Sequence, residues 1–176
     1  YKWVSNNLSS VVAIDISKNN LVNTNKGACT RLLELQEKNK EENKENELLN
    51  NIFIIWGDSS KNIKSGDAGL DSLNKFYLDN LFGNVINRNH IHRLGNEKIK
   101  KNRGKFVDGF DIVSCQFSLH YFFKNLSSLK ELLLNISENL KLGGKFIATC
   151  FDGSKLFKIL ESNDKIERRD KNDKLI

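Results

Sequence analysis

The sequence predicts an α/β fold built on a parallel, doubly wound sheet, and three observations predict it. Four short runs of β-branched and aromatic residues stand at 11–16, 52–56, 110–117 and 145–150. Their apolar character is near-continuous rather than alternating, which suits strands covered on both faces. Between them lie stretches with helical spacing, and strand alternating with helix builds βαβ units.

The elements follow in order. The first run closes on Asp15 and is followed by a helical stretch, 29–38, carrying Leu32, Leu33 and Leu35. Residues 36–51 read QEKNKEENKENELLNN, a low-complexity segment expected to be a solvated helix extension or loop without chemistry. It is bounded as an insert at 37–50 within one domain spanning 1–176. After the second run, Leu70, Leu73, Phe76, Tyr77, Leu78 and Leu81 predict a helix over 67–82. Leu129, Leu132, Leu133, Ile136 and Leu140 predict another over 126–140, with Ser127 or Ser128 as its N-cap and Gly143-Gly144 as its stop. A last helix is expected over 154–160.

A chain of 176 residues with 39% hydrophobic content can bury one core. No apolar run approaches the roughly 18 residues needed to cross a bilayer. Cys29, Cys115 and Cys150 are widely spaced and form no CxxC pair, which argues against a zinc site or a disulfide framework. Each is read as a small buried apolar residue in a reducing, intracellular compartment. The net charge is +6, and its excess is concentrated at 88–105, where Arg88, Arg93, Lys98, Lys100, Lys101, Arg103 and Lys105 face one acid, Glu97. RNA would suit that stretch, as would a merely solvated loop. His90 and His92 lie within it without a carboxylate or cysteine at ligand spacing, so no metal site is expected. The chain holds no methionine, initiator included, and reads as a piece of a longer protein.

In open α/β sheets, ligands gather at the C-terminal ends of strands. Asp15 ends the first run, where a carboxylate can accept both hydroxyls of a ribose; it could equally serve as a turn or cap residue before Ser17. Asp58 follows the second run and can accept from the exocyclic amine of an adenine, or cap a turn. One adenosine could bridge the two. The third run delivers Gln116 at its tip, then His120 and Tyr121 among aromatics. These could stack on and hydrogen-bond to a purine, or pack as an aromatic helix start.

The block FDIVSCQFSLHYFF, at 110–123, resembles the signature of mRNA cap guanine-N7 methyltransferases. AIDIS at 13–17, GDSSKN at 57–62 and GGKFIATC at 143–150 extend the resemblance over most of 11–160. NKGACTRLLEL, SGDAGLDSLNKFYLDNLFG and ATCFDGSKLF look more like the cap enzymes of large DNA viruses than cellular ones.

The resemblance implies a Rossmann-like, class I AdoMet-dependent methyltransferase fold, incomplete at both ends. The family's glycine-rich cofactor loop and the central strand before it would fall upstream of Tyr1, and further strands beyond Ile176. It also implies S-adenosylmethionine as cofactor, bound by Asp15 (ribose), Asp58 (adenine), Gln116 and Tyr121. His120 and Tyr121 would face the cap guanine. Catalysis would rest on proximity and orientation, with no direct catalytic residue and no metal. Partners would be the 5′ end of capped RNA and other capping-enzyme domains or a regulatory subunit, with no membrane. The location would be the nucleus for a cellular protein, and host cytoplasm or virion for a viral one. Residues 1–176 alone would not be an active enzyme. Two rivals remain at this point. One is an inactive methyltransferase fold serving as an RNA-binding or scaffolding subunit. The other is a nicotinamide-dependent oxidoreductase, for which Asp15 would suit equally.

Overall fold

Short β-branched runs become strands here, and they pair in parallel. In the computed structural model, which describes residues 3, 6, 8–43, 46–84 and 97–162, β1 (Val11–Asp15) lies beside β2 (Ile52–Trp56) in unbroken register from Val11↔Ile52 to Asp15↔Trp56. β3 (Phe110–Gln116) pairs with β4 (Leu140–Thr149), also in parallel. Among the described residues these are two separate two-stranded sheets. The crossover from β1 to β2 runs through α1 (Lys18–Val22), α2 (Ala28–Glu41) and α3 (Glu47–Asn50). From β2 to β3 it runs through α4 (Ser72–Leu81) and α5 (Glu97–Lys101). β3 leads into a 3-10 turn, Leu119–Lys124, then α6 (Leu126–Asn139) and β4; α7 (Gly153–Ser162) follows. The class is therefore mixed α/β with parallel strands, as expected.

Several details differ from expectation. The helix expected from 67 starts at Ser72, because Asp71 takes the N-cap and accepts from the backbone N–H of Asn74 at 2.7 Å. α6 is capped by Asn125, not Ser127 or Ser128; Asn125 accepts from the Ser128 N–H at 2.8 Å. Gly143-Gly144 does not stop α6, which ends at Asn139 as Leu140 takes up extended backbone. The glycines lie instead inside β4, where Phe110↔Leu140 is followed directly by Ile112↔Lys145. Residues 141–144 therefore bulge out of the ladder, with Gly143 at φ +79°. Lys141 closes the bulge on both oxygens of Asp111, at 3.1 Å each.

The insert expected at 37–50 is not wholly solvated. Its charged part extends α2, but Leu48 and Leu49 are buried and pack with Ile52. The side-chain amide of Gln36 donates to the Leu49 carbonyl at 2.8 Å, tying α2 to α3. The Leu-Leu pair supplied apolar area that the surrounding charge obscured.

The main core gathers Phe53 and Ile55 of β2, Leu78 and Leu81 of α4, Ala68, Phe82 and Phe106. The Phe106 ring stacks on Phe110 at 4.7 Å and meets Phe53 edge-on at 5.8 Å, so aromatic packing carries the core from one sheet to the start of the other. The expectation that all strands are covered on both faces holds for β2 alone. Ile112 of β3 and Phe146 and Ile147 of β4 keep 49%, 38% and 48% of their surface exposed; Phe146 and Ile147 are consecutive and point to opposite faces, so neither face of this pair is fully covered by the described residues. No described helix is long and apolar enough to cross a membrane.

Candidate functional site at the strand tips

Parallel pairing brings the C-terminal ends of each strand pair to one place. The Gly57 N–H donates to the Asp15 carbonyl at 3.1 Å, so Asp15 and Asp58 sit at neighbouring tips. Gly57 is required there: a Cβ would meet Ile14 Cγ2 at 2.8 Å and the Ala68 carbonyl oxygen at 3.0 Å. Lys124, in the 3-10 turn after β3, acts electrostatically on Asp58, which brings the β3 exit to the same end.

Asp15 is half-buried. One carboxylate oxygen accepts from the Ser17 N–H at 2.7 Å and the other from the Asn20 amide at 3.1 Å, so it braces the start of α1 while Ser17 is the formal N-cap. It also lines a cavity of about 370 Å³ with Ala13, Asn20, Lys26 and Arg31 among its walls. That volume lies within the range of small-molecule sites, about 300–1,000 Å³.

Asp58 directs one oxygen, Oδ1, to both the Ser60 N–H at 2.9 Å and the Ser60 hydroxyl at 2.7 Å. Burial works against its ionisation. The Ser60 hydroxyl and N–H, with the charges of Lys124 and Lys61, outweigh burial and hold the carboxyl below its usual range.

At the β3 tip the Gln116 side chain is exposed but held at both ends. Its amide nitrogen donates to the Ser114 hydroxyl at 2.9 Å, and its oxygen accepts from the Thr149 hydroxyl of β4 at 3.0 Å. The Thr149 oxygens also receive the Phe117 N–H. Phe117 itself adopts φ +54°, a left-handed conformation that bulky residues rarely take and that is held here by this anchor. The chain turns sharply, and His120 and Tyr121 follow with rings 4.2 Å apart. Tyr121 is exposed; His120 is half-buried, lies 5.5 Å from the Phe151 ring, and its Nδ1 has no hydrogen-bond partner among the described residues.

All five expected residues thus fall at strand tips or in the turn after β3. The structure adds Thr149, Lys124 and Phe151, which gained no attention in the sequence because each reads as an ordinary strand, turn or loop residue. It also adds Asn135, buried on α6, which holds the loop after Asp58. Its sequence signal was an amide set among leucines. The cysteines divide. Cys29 is half-buried and burial raises its thiol pKa, fitting an inert residue, whereas Cys150 is exposed and departs from the buried reading.

Of the basic stretch, Arg88, Arg93, His90 and His92 lie outside the described residues, as does the side chain of Lys98. Lys105 donates to the side-chain oxygens of Asn51 and Asn102; burial and then the like charge of Lys101 lower its pKa. Asn51 immediately precedes β2, so Lys105 stands at the opposite end of the strands from Asp58.

Comparison with known proteins bears on this arrangement. Residues 89–173 match the family described as the mRNA (guanine-N(7))-methyltransferase domain. The mRNA cap guanine-N(7) methyltransferase 1 of Oryza sativa subsp. japonica is 41% identical over 58 residues, covering 33% of this chain and 16% of that protein. The mRNA cap guanine-N(7) methyltransferase of Caenorhabditis briggsae is 47% identical over 47 residues, 27% of this chain and 12% of that protein. That of Candida glabrata is 48% identical over 42 residues, 24% and 10% respectively. The matches thus span about one-sixth or less of these curated relatives. Residues 89–173, which include the β3 tip and the aromatic turn behind it, are thus what this chain shares with the mRNA (guanine-N(7))-methyltransferase domain family.

Proposed function

We propose that this chain forms part of an mRNA cap guanine-N7 methyltransferase, which transfers a methyl group from S-adenosylmethionine to N7 of the cap guanine. The observation that carries the reading is the turn after β3, where a held Gln116 and a left-handed Phe117 set an exposed Tyr121 against His120, whose Nδ1 is buried and unpartnered. Such an atom is costly unless a ligand satisfies it, and a purine edge beside a stacking ring would do so.

The residues at the tips fit the adenosine half of S-adenosylmethionine. Each Asp15 oxygen already accepts one bond and retains a lone pair for a ribose hydroxyl. Asp58 uses Oδ1 for Ser60, which leaves Oδ2 for the adenine amine. When bound, S-adenosylmethionine supplies an electrophilic methyl on a sulfonium. Guanine N7 bears no proton, so the protein needs no general base. Its task is to align acceptor and donor, an effect worth up to about 7–11 kcal/mol. Gln116 and Tyr121 would position the cofactor near its amino-acid end, and His120 and Tyr121 would hold the guanine. Capped RNA is the proposed substrate, with other capping domains or a regulatory subunit as proposed partners.

Steady-state methylation by the full-length protein, titrated separately in S-adenosylmethionine and in GpppA-capped RNA, tests the reading. His120→Ala is expected to raise KM for capped RNA alone, and Tyr121→Ala to impair use of both substrates. Absence of methyl transfer by the folded full-length protein, or identical profiles for the two variants, would overturn the corresponding assignments.

A further inference from the structure

Asn135 occupies the middle of α6 and is 4% exposed. Its side-chain amide points out of its own helix into the loop that follows β2. Nδ2 donates to the carbonyls of Ser59 at 3.0 Å and Lys61 at 2.8 Å, while Oδ1 accepts from the Ile63 N–H at 2.8 Å. Three alternate residues of the loop thus converge on one side chain from a different βαβ unit. The first of them is next to Asp58, and the second donates its N–H to the Asp58 carbonyl at 3.0 Å. One turn later on α6, Glu138 accepts from the Asn62 amide at 2.9 Å. Among the described residues, these two side chains are what hydrogen-bond the loop to α6.

We infer that Asn135 is a positioning residue for adenosine recognition, acting through the backbone of residues 59–63 to fix the Asp58 carboxylate and the N–H groups after it. The inference rests on the proposed role of Asp58 as adenine ligand. It is carried by geometry: a leucine of similar volume would fill the same space but leave two carbonyls and one N–H without partners inside the fold. The loop would then be free to take other conformations, and Asp58 would move with it. Because α6 begins directly after the aromatic turn, the same helix seats both the adenine-side loop and the exit from the guanine-side turn.

The test is a double-mutant cycle in the full-length protein, with S-adenosylmethionine affinity measured by calorimetry and KM for each substrate measured separately. Asn135→Ala is expected to weaken S-adenosylmethionine about tenfold, leaving KM for capped RNA and kcat at saturation unchanged. In an Asp58→Ala background the same change should have little further effect, since residues acting through one interaction are non-additive. Asn139→Ala, an equally buried amide on α6 that does not touch the loop, should leave the S-adenosylmethionine KM unchanged. If Asn135→Ala lacks cooperative unfolding, Asn135→Asp takes its place in the cycle, since it keeps the acceptor for Ile63 and loses both donors. Equal losses in the two backgrounds, or equal losses for Asn135→Ala and Asn139→Ala, overturn the inference and leave the Asp58 assignment standing. Undiminished binding by Asp58→Ala removes the adenine assignment and this inference with it.

Discussion

At Asp15 one carboxylate serves two tasks. It braces the first turn of α1 through Ser17 and Asn20, and it faces the cavity beside Lys26 and Arg31. Asp15→Ala in the full-length protein is expected to weaken S-adenosylmethionine by about 1.5–3 kcal/mol, the range for hydrogen bonds to a charged group. Calorimetry that finds unchanged affinity would leave only the bracing role. Asp58 offers a test through pH. Its folded pKa is depressed, so its contribution to stability is present above the unfolded value of about 3.9 and lost as pH falls through the lower folded value. Ser60→Ala removes one of the bonds that depress it, so the acid loss of stability should be smaller and complete at higher pH than in the wild type. Thermal unfolding followed between pH 5 and pH 2 reads this, and superimposable acid limbs would contradict it. Residue types at strand ends were legible in the sequence because parallel sheets place their polar residues there. Which partner each one takes was not: the Ser60 and Thr149 anchors depend on turns and register that no local pattern encodes.

Elements were legible to the extent that their apolar residues are local. The four strands were found within a few residues, except that β4 begins five residues before its apolar run, because α6 turns straight into extended backbone at Leu140. α3 was missed because two leucines in a Glu-Lys-Asn tract are too few to reveal a period. Leu48→Ala should cost about 2–5 kcal/mol, the usual penalty for a buried leucine, whereas Asn125→Ala should cost about 0.5–2 kcal/mol through loss of the α6 cap. Chemical denaturation of both variants would reverse this ordering only if α3 were detached from the core. α6 carries a further lesson. Its buried face is Ser128, Leu132, Asn135 and Asn139, while Leu126, Leu133 and Leu134 are exposed. The leucine spacing gave the helix but not its orientation, since the buried Asn135 amide answers to a distant loop and not to hydropathy. Gly57→Ala belongs to the same scale: its Cβ would press on Ile14 and the Ala68 carbonyl, at an expected cost of about 1–3 kcal/mol together with weakened S-adenosylmethionine binding. Denaturation and calorimetry on that single variant should both register the change; a loss in neither would mean that the β1–β2 tips can spread without consequence.

At the scale of the molecule, two parallel strand pairs are joined by side chains rather than by a shared ladder among the described residues. Phe106 and Phe110 join them within the core, and Asn135 joins them near the tips. Alternation of strand and helix made the α/β class legible, while the Asn135 link to the loop after β2 joins residues 70 or more positions apart and left no trace in periodicity. The bulge at 141–144 shows how such a fold can separate length from register. Asp111 and Lys141 fasten its base, a Cβ on Gly143 would meet nothing within 4 Å, and pairing resumes at Ile112↔Lys145. An extra residue there enlarges a protrusion and leaves Gln116 opposite Thr149. Insertion of one glycine after Gly143 is therefore expected to change stability by less than about 1 kcal/mol, as for loops lengthened at the surface. The same insertion after Phe146 should unfold the β3–β4 pair, and thermal unfolding of the two variants compares them directly. In evolutionary terms, the chain can gain or lose residues between α6 and the ladder of β4 while the spacing of its tip residues stays constant.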